Sequence, residues 1–264
     1  VDFVTFTVTQ FQFFILVLFR IAGMMTIAPF FGSMNIPRPV KIGLALLISL
    51  AIFPIVPKPD VALPGALSGY LLAAVAECSI GIVLGFAATL VFAGIQLAGH
   101  FIGQEMGLTL ANVVDPTSFE QVTVVTQFKF IFAVLVFLAV GGHLLLLWFL
   151  FWTFEMIPIM SVSYCRLVPE YIAMGMGAQM FIEAVQLAAP VIVAMLVTTV
   201  MMAFVAKTAP EINVFIIGFG VRAGVGLVIL LLAMPYMAGV LDVIFKRMAF
   251  DLQELIGIMA QGSA

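Results

Sequence analysis

Charge is scarce in this chain: ten basic and thirteen acidic residues among 264, 9% of the total, against about 25% in an ordinary soluble domain. The formal charge is -3, and no basic stripe gathers anywhere, which excludes the electrostatic footprint that nucleic acid requires. Histidine is nearly absent. His100 and His143 are the only two, and neither stands in an H-E-x-x-H pattern. There is also no phosphate loop ending in G-K-[ST] and no pair of intramembrane aspartates. The residues thus offer no catalytic set, no metal site and no cofactor site, and an enzyme is not expected. The two cysteines, Cys78 and Cys165, lie far apart and outside any ligand spacing, so they read as inert fillers. A basic n-region and an A-x-A site are missing around the first apolar run, which is expected to stay in the mature protein. Gly262-Ser263-Ala264 reads equally well as a native tail or an expression remnant.

Apolar residues are what the chain does have. They make up 64% of it, with a mean hydropathy of +1.29, where a soluble domain carries about 45–50%. Long apolar stretches recur from end to end and leave nothing large enough to fold outside a membrane. The expected fold class is all-α: one helical membrane domain over residues 1–264, made of helical hairpins and long, kinked and broken helices.

The stretches fit a bilayer poorly. Phe11–Phe31 is apolar apart from Gln12, Arg20 and Thr26, and about 20 residues match a hydrocarbon core of roughly 30 Å. Ile42–Val56 is too short to span alone. Ala66–Met106, about 40 residues, is too long for one crossing and predicts either a tilted helix or a hairpin. Phe130–Phe154 is the cleanest span, interrupted by Gly141-Gly142-His143, and Glu155–Pro169 reads as a link. Tyr171–Ala206 carries Pro190, which predicts a kink or a split into a hairpin. Val214–Ala233 spans again. After Pro235, residues 241–260 form an amphipathic helix with Leu241, Ile244, Phe245, Met248, Leu252 and Leu255 at three- and four-residue steps, suited to an interface or a partner. Irregular backbone at membrane depth is stable only where other protein or a water-filled cavity satisfies it, so the pattern predicts an assembly subunit. Lys and Arg are spread over the links and give no orientation, except that Gly107–Gln121 has no basic residue and suits the cytoplasmic side least.

Several features can carry function. Gly81 and Gly85, the ladder Gly99, Gly103 and Gly107, and Gly220 with Gly224 have the G-x-x-x-G spacing that lets helix backbones approach closely. Arg20 and Arg222 lie within apolar spans, where a charge costs on the order of 2.5–3.5 kcal/mol. They require pairing with Glu77 or Glu183, snorkelling to a headgroup, or an aqueous channel. Met106, just before the loop 107–121, and Leu108, Leu110, Val113, Val114 and Phe119 within it, beside Asp115 and Pro116, place apolar side chains on irregular backbone, and apolar constrictions close pores by dewetting. Sixteen methionines read mainly as gap-filling side chains that repack cheaply.

The stretch Ala206–Gly220, AKTAPEINVFIIGFG, resembles the A-[RK]-x-x-P-x-[IL]-N-V-F-x-x-G-F signature of the FliR family and its injectisome counterparts, with Pro210, Asn213, Phe215 and Gly218 on the matching positions. Gly103–Phe119, GQEMGLTLANVVDPTSF, is similar to the family's G-x-x-x-G-[FL]-[ST]-x-A-x-x-x-[DN]-P loop, and Arg20 with Pro29-x-x-Gly32 resembles its amino-terminal pattern. One departure is Gly220, where a proline commonly follows Gly-Phe. The similarity runs along essentially the whole chain. It implies a pore-forming subunit of a type III secretion export gate in the bacterial inner membrane, at the flagellar basal body. There it would join FliP and FliQ subunits in a right-handed helical assembly largely above the membrane plane, with lipid at its margin, FlhB wrapping its cytoplasmic entrance and FlhA nearby. Unfolded export substrates would pass through, and the loop 107–121 would be the plug. The alternative from the residues alone is a proton-coupled small-molecule transporter, motivated by Arg20, Glu77, Glu183 and the proline-broken helix.

Overall fold

A computed structural model describes residues 2–33, 36–57, 64, 66–108, 124–161, 167–209, 211 and 213–261. The described residues are all-α and without strands. Eight helices follow one another: α1 (Asp2–Ile27), α2 (Arg38–Ile52), α3 (Leu67–Glu105), α4 (Val124–Ala139), α5 (Gly142–Met156), α6 (Leu167–Thr208), α7 (Val214–Leu232) and α8 (Met234–Gln261). Of these, α1, α3 and α6 are long and apolar enough to cross a membrane one by one.

The segment Ala66–Met106 is one helix and not a hairpin. Its 39 residues make a rod of about 58 Å. It ends where Gly107 takes φ +77, with Leu108 N–H donating to Gly103 O at 3.0 Å and Gly107 N–H to Gln104 O at 2.9 Å. That pair of bonds is a Schellman stop, so Gly107 terminates the helix and does not belong to its packing ladder.

The expected span over Phe130–Phe154 is two helices bent by 65°. Gly141, at φ +80, is the N-cap of α5, a backbone conformation that costs a side-chain-free residue nothing. α5 continues through Met156, so the link begins later than its composition implies. Pro190 lies inside α6 without splitting it; a proline removes one backbone donor, and the many remaining bonds carry the helix on. The irregularity in α6 comes earlier, at the wide π turn Tyr171–Met176. α8 starts at Met234, with Pro235 in its first turn, where the missing N–H would have had no partner in any case.

The chain divides into two compact units. The first takes residues Val1–Leu90, Gly141–Gly177 and Arg247–Ala264. Its centre is the stripe Phe13, Leu16, Val17, Arg20, Ile21 and Met24 on α1, all buried at the three- and four-residue steps of one helix face. That face meets α3 through glycines. A Cβ on Gly81 would strike the carbonyl oxygen of Arg20, one on Gly23 that of Cys78, and one on Gly85 would lie 2.8 Å from Met24 O. Thr89 Oγ1 seals the contact by donating to Ile27 O at 2.9 Å. The rings of Phe13 and Phe14 pack on Phe53, just after α2, with centroids 5.5 and 5.6 Å apart.

The second unit takes Val91–Val140 and Ala178–Lys246. Its core is an aromatic cluster in which Phe92 meets Phe130, Phe137 and Phe245 at centroid distances of 6.1, 5.3 and 5.7 Å, the range of favourable edge and offset contacts. Gly94 faces the backbone of Met180, and Gly99 the backbone of Thr126.

Candidate functional site

A guanidinium inside an apolar helix must find both charge and acceptors. Arg20, fully buried on α1, finds both. Its Nε donates to Glu77 Oε2 on α3 at 2.6 Å, and Nη2 lies 2.6 Å from the same oxygen without a hydrogen-bonding geometry. Nη1 donates to Thr153 O at 2.9 Å and Ile157 O at 3.1 Å, with Thr153 Oγ1 at 3.4 Å. The ring of Phe154 lies under the cation, 4.4 Å from ring centroid to Cζ, a cation–π contact.

Thr153 and Ile157 close the carboxyl end of α5, with Ile157 as its C-cap. The carbonyls at the end of a helix carry its partial negative charge; Thr153 O takes one local bond, from Ile157 N–H at 2.9 Å, and its second lone pair is open to a further donor. Arg20 supplies donors and positive charge together, so it caps α5 as well as pairing with Glu77. The other oxygen, Glu77 Oε1, accepts the N–H of Met160 at 3.0 Å. Met160 has φ +72, costly for a side-chain-bearing residue, and the Glu77 bond holds the turn there. Arg20 and Glu77 are both 0% exposed, and they act within the chain as a structural clamp on three elements.

Glu183 and Arg222 do not join this cluster. Glu183, buried on α6, lies 3.5 Å from Gln179 Nε2. Arg222 is half-buried on α7. Among the described residues, no three His, Cys, Asp or Glu side chains come together as metal ligands.

Of the residues read as a plug, Met106 is fully buried, with Cγ, Cε and Sδ 2.5–2.9 Å from where a Cβ on Gly226 would sit. Leu108 is half-buried in the turn after Gly107. Leu110, Val113, Val114, Asp115, Pro116 and Phe119 lie outside the described residues, as does Pro210. Of the helix-contact positions, Gly81, Gly85 and Gly99 face backbone of neighbouring helices within the chain, and Gly103 is buried. Gly220 and Gly224 face open space. In the signature stretch, Asn213 directly precedes α7 and its carbonyl accepts Ile217 N–H at 3.3 Å. Gly218 is buried, with Met202 Cε 3.6 Å from its would-be Cβ. The backbone of Phe215 is helical, and its side chain is outside the described set.

Sequence reasoning missed Lys129. It is 3% exposed on α4, with Nζ 3.4 Å from Leu187 O. Because α4 begins at Val124, six residues ahead of the apolar run starting at Phe130, a lysine that looked like a flank is drawn into the helix body.

Comparison with known proteins agrees with the resemblance of the motifs. The family described as "Bacterial export proteins, family 1" matches residues 11–248. The flagellar biosynthetic protein FliR of Bacillus subtilis is 30% identical over 256 residues, covering 94% of this chain and 96% of that protein. The flagellar biosynthetic protein FliR of Escherichia coli is 32% identical over 244 residues, 90% of each. With the matched region running from α1 into α8 and the relatives aligned nearly end to end, the chain belongs to the FliR-type bacterial export proteins, family 1.

Proposed function

We propose that this chain is a pore-forming, non-enzymatic subunit of the flagellar type III export gate in the bacterial inner membrane. It acts there as a single functional domain alongside FliP-, FliQ-, FlhB- and FlhA-type partners. The observation that carries the reading is the mismatch between helix length and bilayer. α2 and α5, at 15 residues each, reach about 22 Å, while α3 reaches about 58 Å, against a hydrocarbon core of roughly 30 Å. Only 22% of the most apolar window of α6 is buried, and its outer face shows Val193, Leu196, Val200, Met201 and Phe204. Such helices require neighbouring protein to cover their ends and faces. The names of the relatives supply flagellar export as the setting.

In this reading unfolded proteins pass through the assembled gate, and the segment 107–121 closes it at rest with apolar side chains. The rigid Schellman stop at Gly107 fixes where that segment leaves α3. Deleting residues 107–121 from an assembled gate is expected to make cells leak ions, read as loss of membrane potential. Membranes that stay tight after the deletion would remove the plug role. Two of the features behind the transporter alternative are accounted for otherwise, because Arg20 and Glu77 bond each other and the end of α5 and α6 is continuous through Pro190; the buried Glu183 is the feature that still favours it.

A further inference from the structure

The opening of α6 contains a feature that the export reading does not use. From Tyr171 to Met176 the helix widens into a π turn, and Gly177 N–H donates to Ile172 O, a five-residue step. Such turns insert one extra residue into a helix and recur at functional sites. Here the insertion throws Met174 outward, 77% exposed, and sets Gly175 where an added Cβ would meet only the ring of Tyr171, at 3.6 Å.

The last turns of α8 complete a recess. Tyr171 Oη donates to Glu254 Oε2 at 3.1 Å, and Ile258 forms the opposite wall. The result is a cleft of 310 Å³ lined by Leu167, Glu170, Tyr171, Met174, Gly175 and Ile258. Its floor is apolar, and its size suits one large side chain. Glu170 and Glu254 stand exposed at the rim, among the described residues no basic one lines it, and the half-buried Asp251 nearby interacts with both Arg247 and Glu254.

We propose that this cleft docks a partner protein segment that carries one large apolar side chain flanked by lysine or arginine. The apolar side chain would fill the floor, where an unbranched methionine adapts to its shape and a tyrosine offers an apolar face with its polar end already satisfied. The two glutamates select basic flanks and repel acidic ones. The same charges disfavour the anionic surface of a lipid leaflet, so the occupant is protein. None of the lining residues belongs to the loop 107–121, so the cleft's role does not depend on that loop being a plug.

The test uses the full chain in nanodiscs of neutral lipid, with empty nanodiscs as baseline, and fluorescent peptides read by anisotropy. A peptide with a central phenylalanine between paired lysines is expected to bind. Replacing its phenylalanine by serine, or its lysines by glutamates, should weaken binding by about tenfold or more, the scale of one buried apolar contact or one lost charge match. On the protein, Gly175→Leu fills the cleft and should abolish binding with the thermal midpoint unchanged. Met174→Lys, which replaces an apolar lining group with a charge that repels the lysine flanks, should do the same if Gly175→Leu fails to fold. Equal binding of the serine peptide, binding no greater than to empty nanodiscs, or full binding by the filled cleft would each overturn the proposal.

Discussion

Arg20→Ala is expected to destabilise the chain by about 3–5 kcal/mol, because it strands the fully buried Glu77 carboxylate without its counter-charge. Glu77→Gln should fall in the same class. It keeps an oxygen for Met160 N–H, yet leaves the guanidinium without its counter-charge. The informative variant is the exchange, Arg20→Glu combined with Glu77→Arg. If the two residues were only an ion pair, the exchange would restore most of the loss. The geometry predicts that it does not, because Thr153 O and Ile157 O at the end of α5 both accept from the side chain of residue 20. A carboxylate at that place would meet the negative end of a helix. Thermal unfolding of the detergent-extracted chain, followed by loss of protease resistance, separates the cases: rescue by the exchange would show that Arg20 does not cap α5.

The second large effect is expected at the glycines, and its direction depends on which glycine is changed. At Gly81 an added methyl group meets the backbone carbonyl of Arg20. Backbone cannot yield as a flexible side chain can, so α1 and α3 must separate, at about 1–3 kcal/mol or more. The shift would also pull Arg20 from Glu77, which makes Gly81→Ala and Arg20→Ala non-additive. Gly220 and Gly224 face open space inside a continuous helix. Alanine there should leave the isolated chain as stable or firmer by up to about 1 kcal/mol, the intrinsic helix preference. Leucine at Gly224 is the matching probe of assembly. It should spare the chain's own unfolding midpoint while reducing its incorporation into the gate, if that open stripe is where a sister helix packs. Measuring chain stability and complex yield on the same samples distinguishes the two kinds of glycine.

The sequence made these outcomes partly legible. The apolar stripe of α1 was readable because three- and four-residue steps have one structural meaning. The need of Arg20 for a partner was readable because a lone charge among apolar side chains has no other stable solution. Which acid serves was not, since Glu77 and Glu183 are equally apolar in setting and only the close approach of α1 to α3 through Gly23, Gly81 and Gly85 selects Glu77. Capping of α5 was hidden for a different reason. Pro158 marks a helix end in the sequence, but nothing local says which distant donor will reach the freed carbonyls. The same limit explains Gly107, whose spacing from Gly103 imitates a packing motif while its left-handed backbone ends the helix. Hydropathy alone also joined α4 to α5, because it registers apolar side chains and not the direction change that Gly141 permits.

Helices so ill-matched to a bilayer are proposed to belong to a closed assembly and not to a free-standing membrane protein. The most direct test of this is the mass of the detergent-extracted complex when the chain is produced alone and with FliP- and FliQ-type partners. The chain alone is expected to be folded but self-associating, with no single defined mass, and with the partners to enter a single hetero-oligomer several times heavier than the 28.5 kDa chain. A stable, monodisperse monomer whose mass does not change when the partners are present would contradict this.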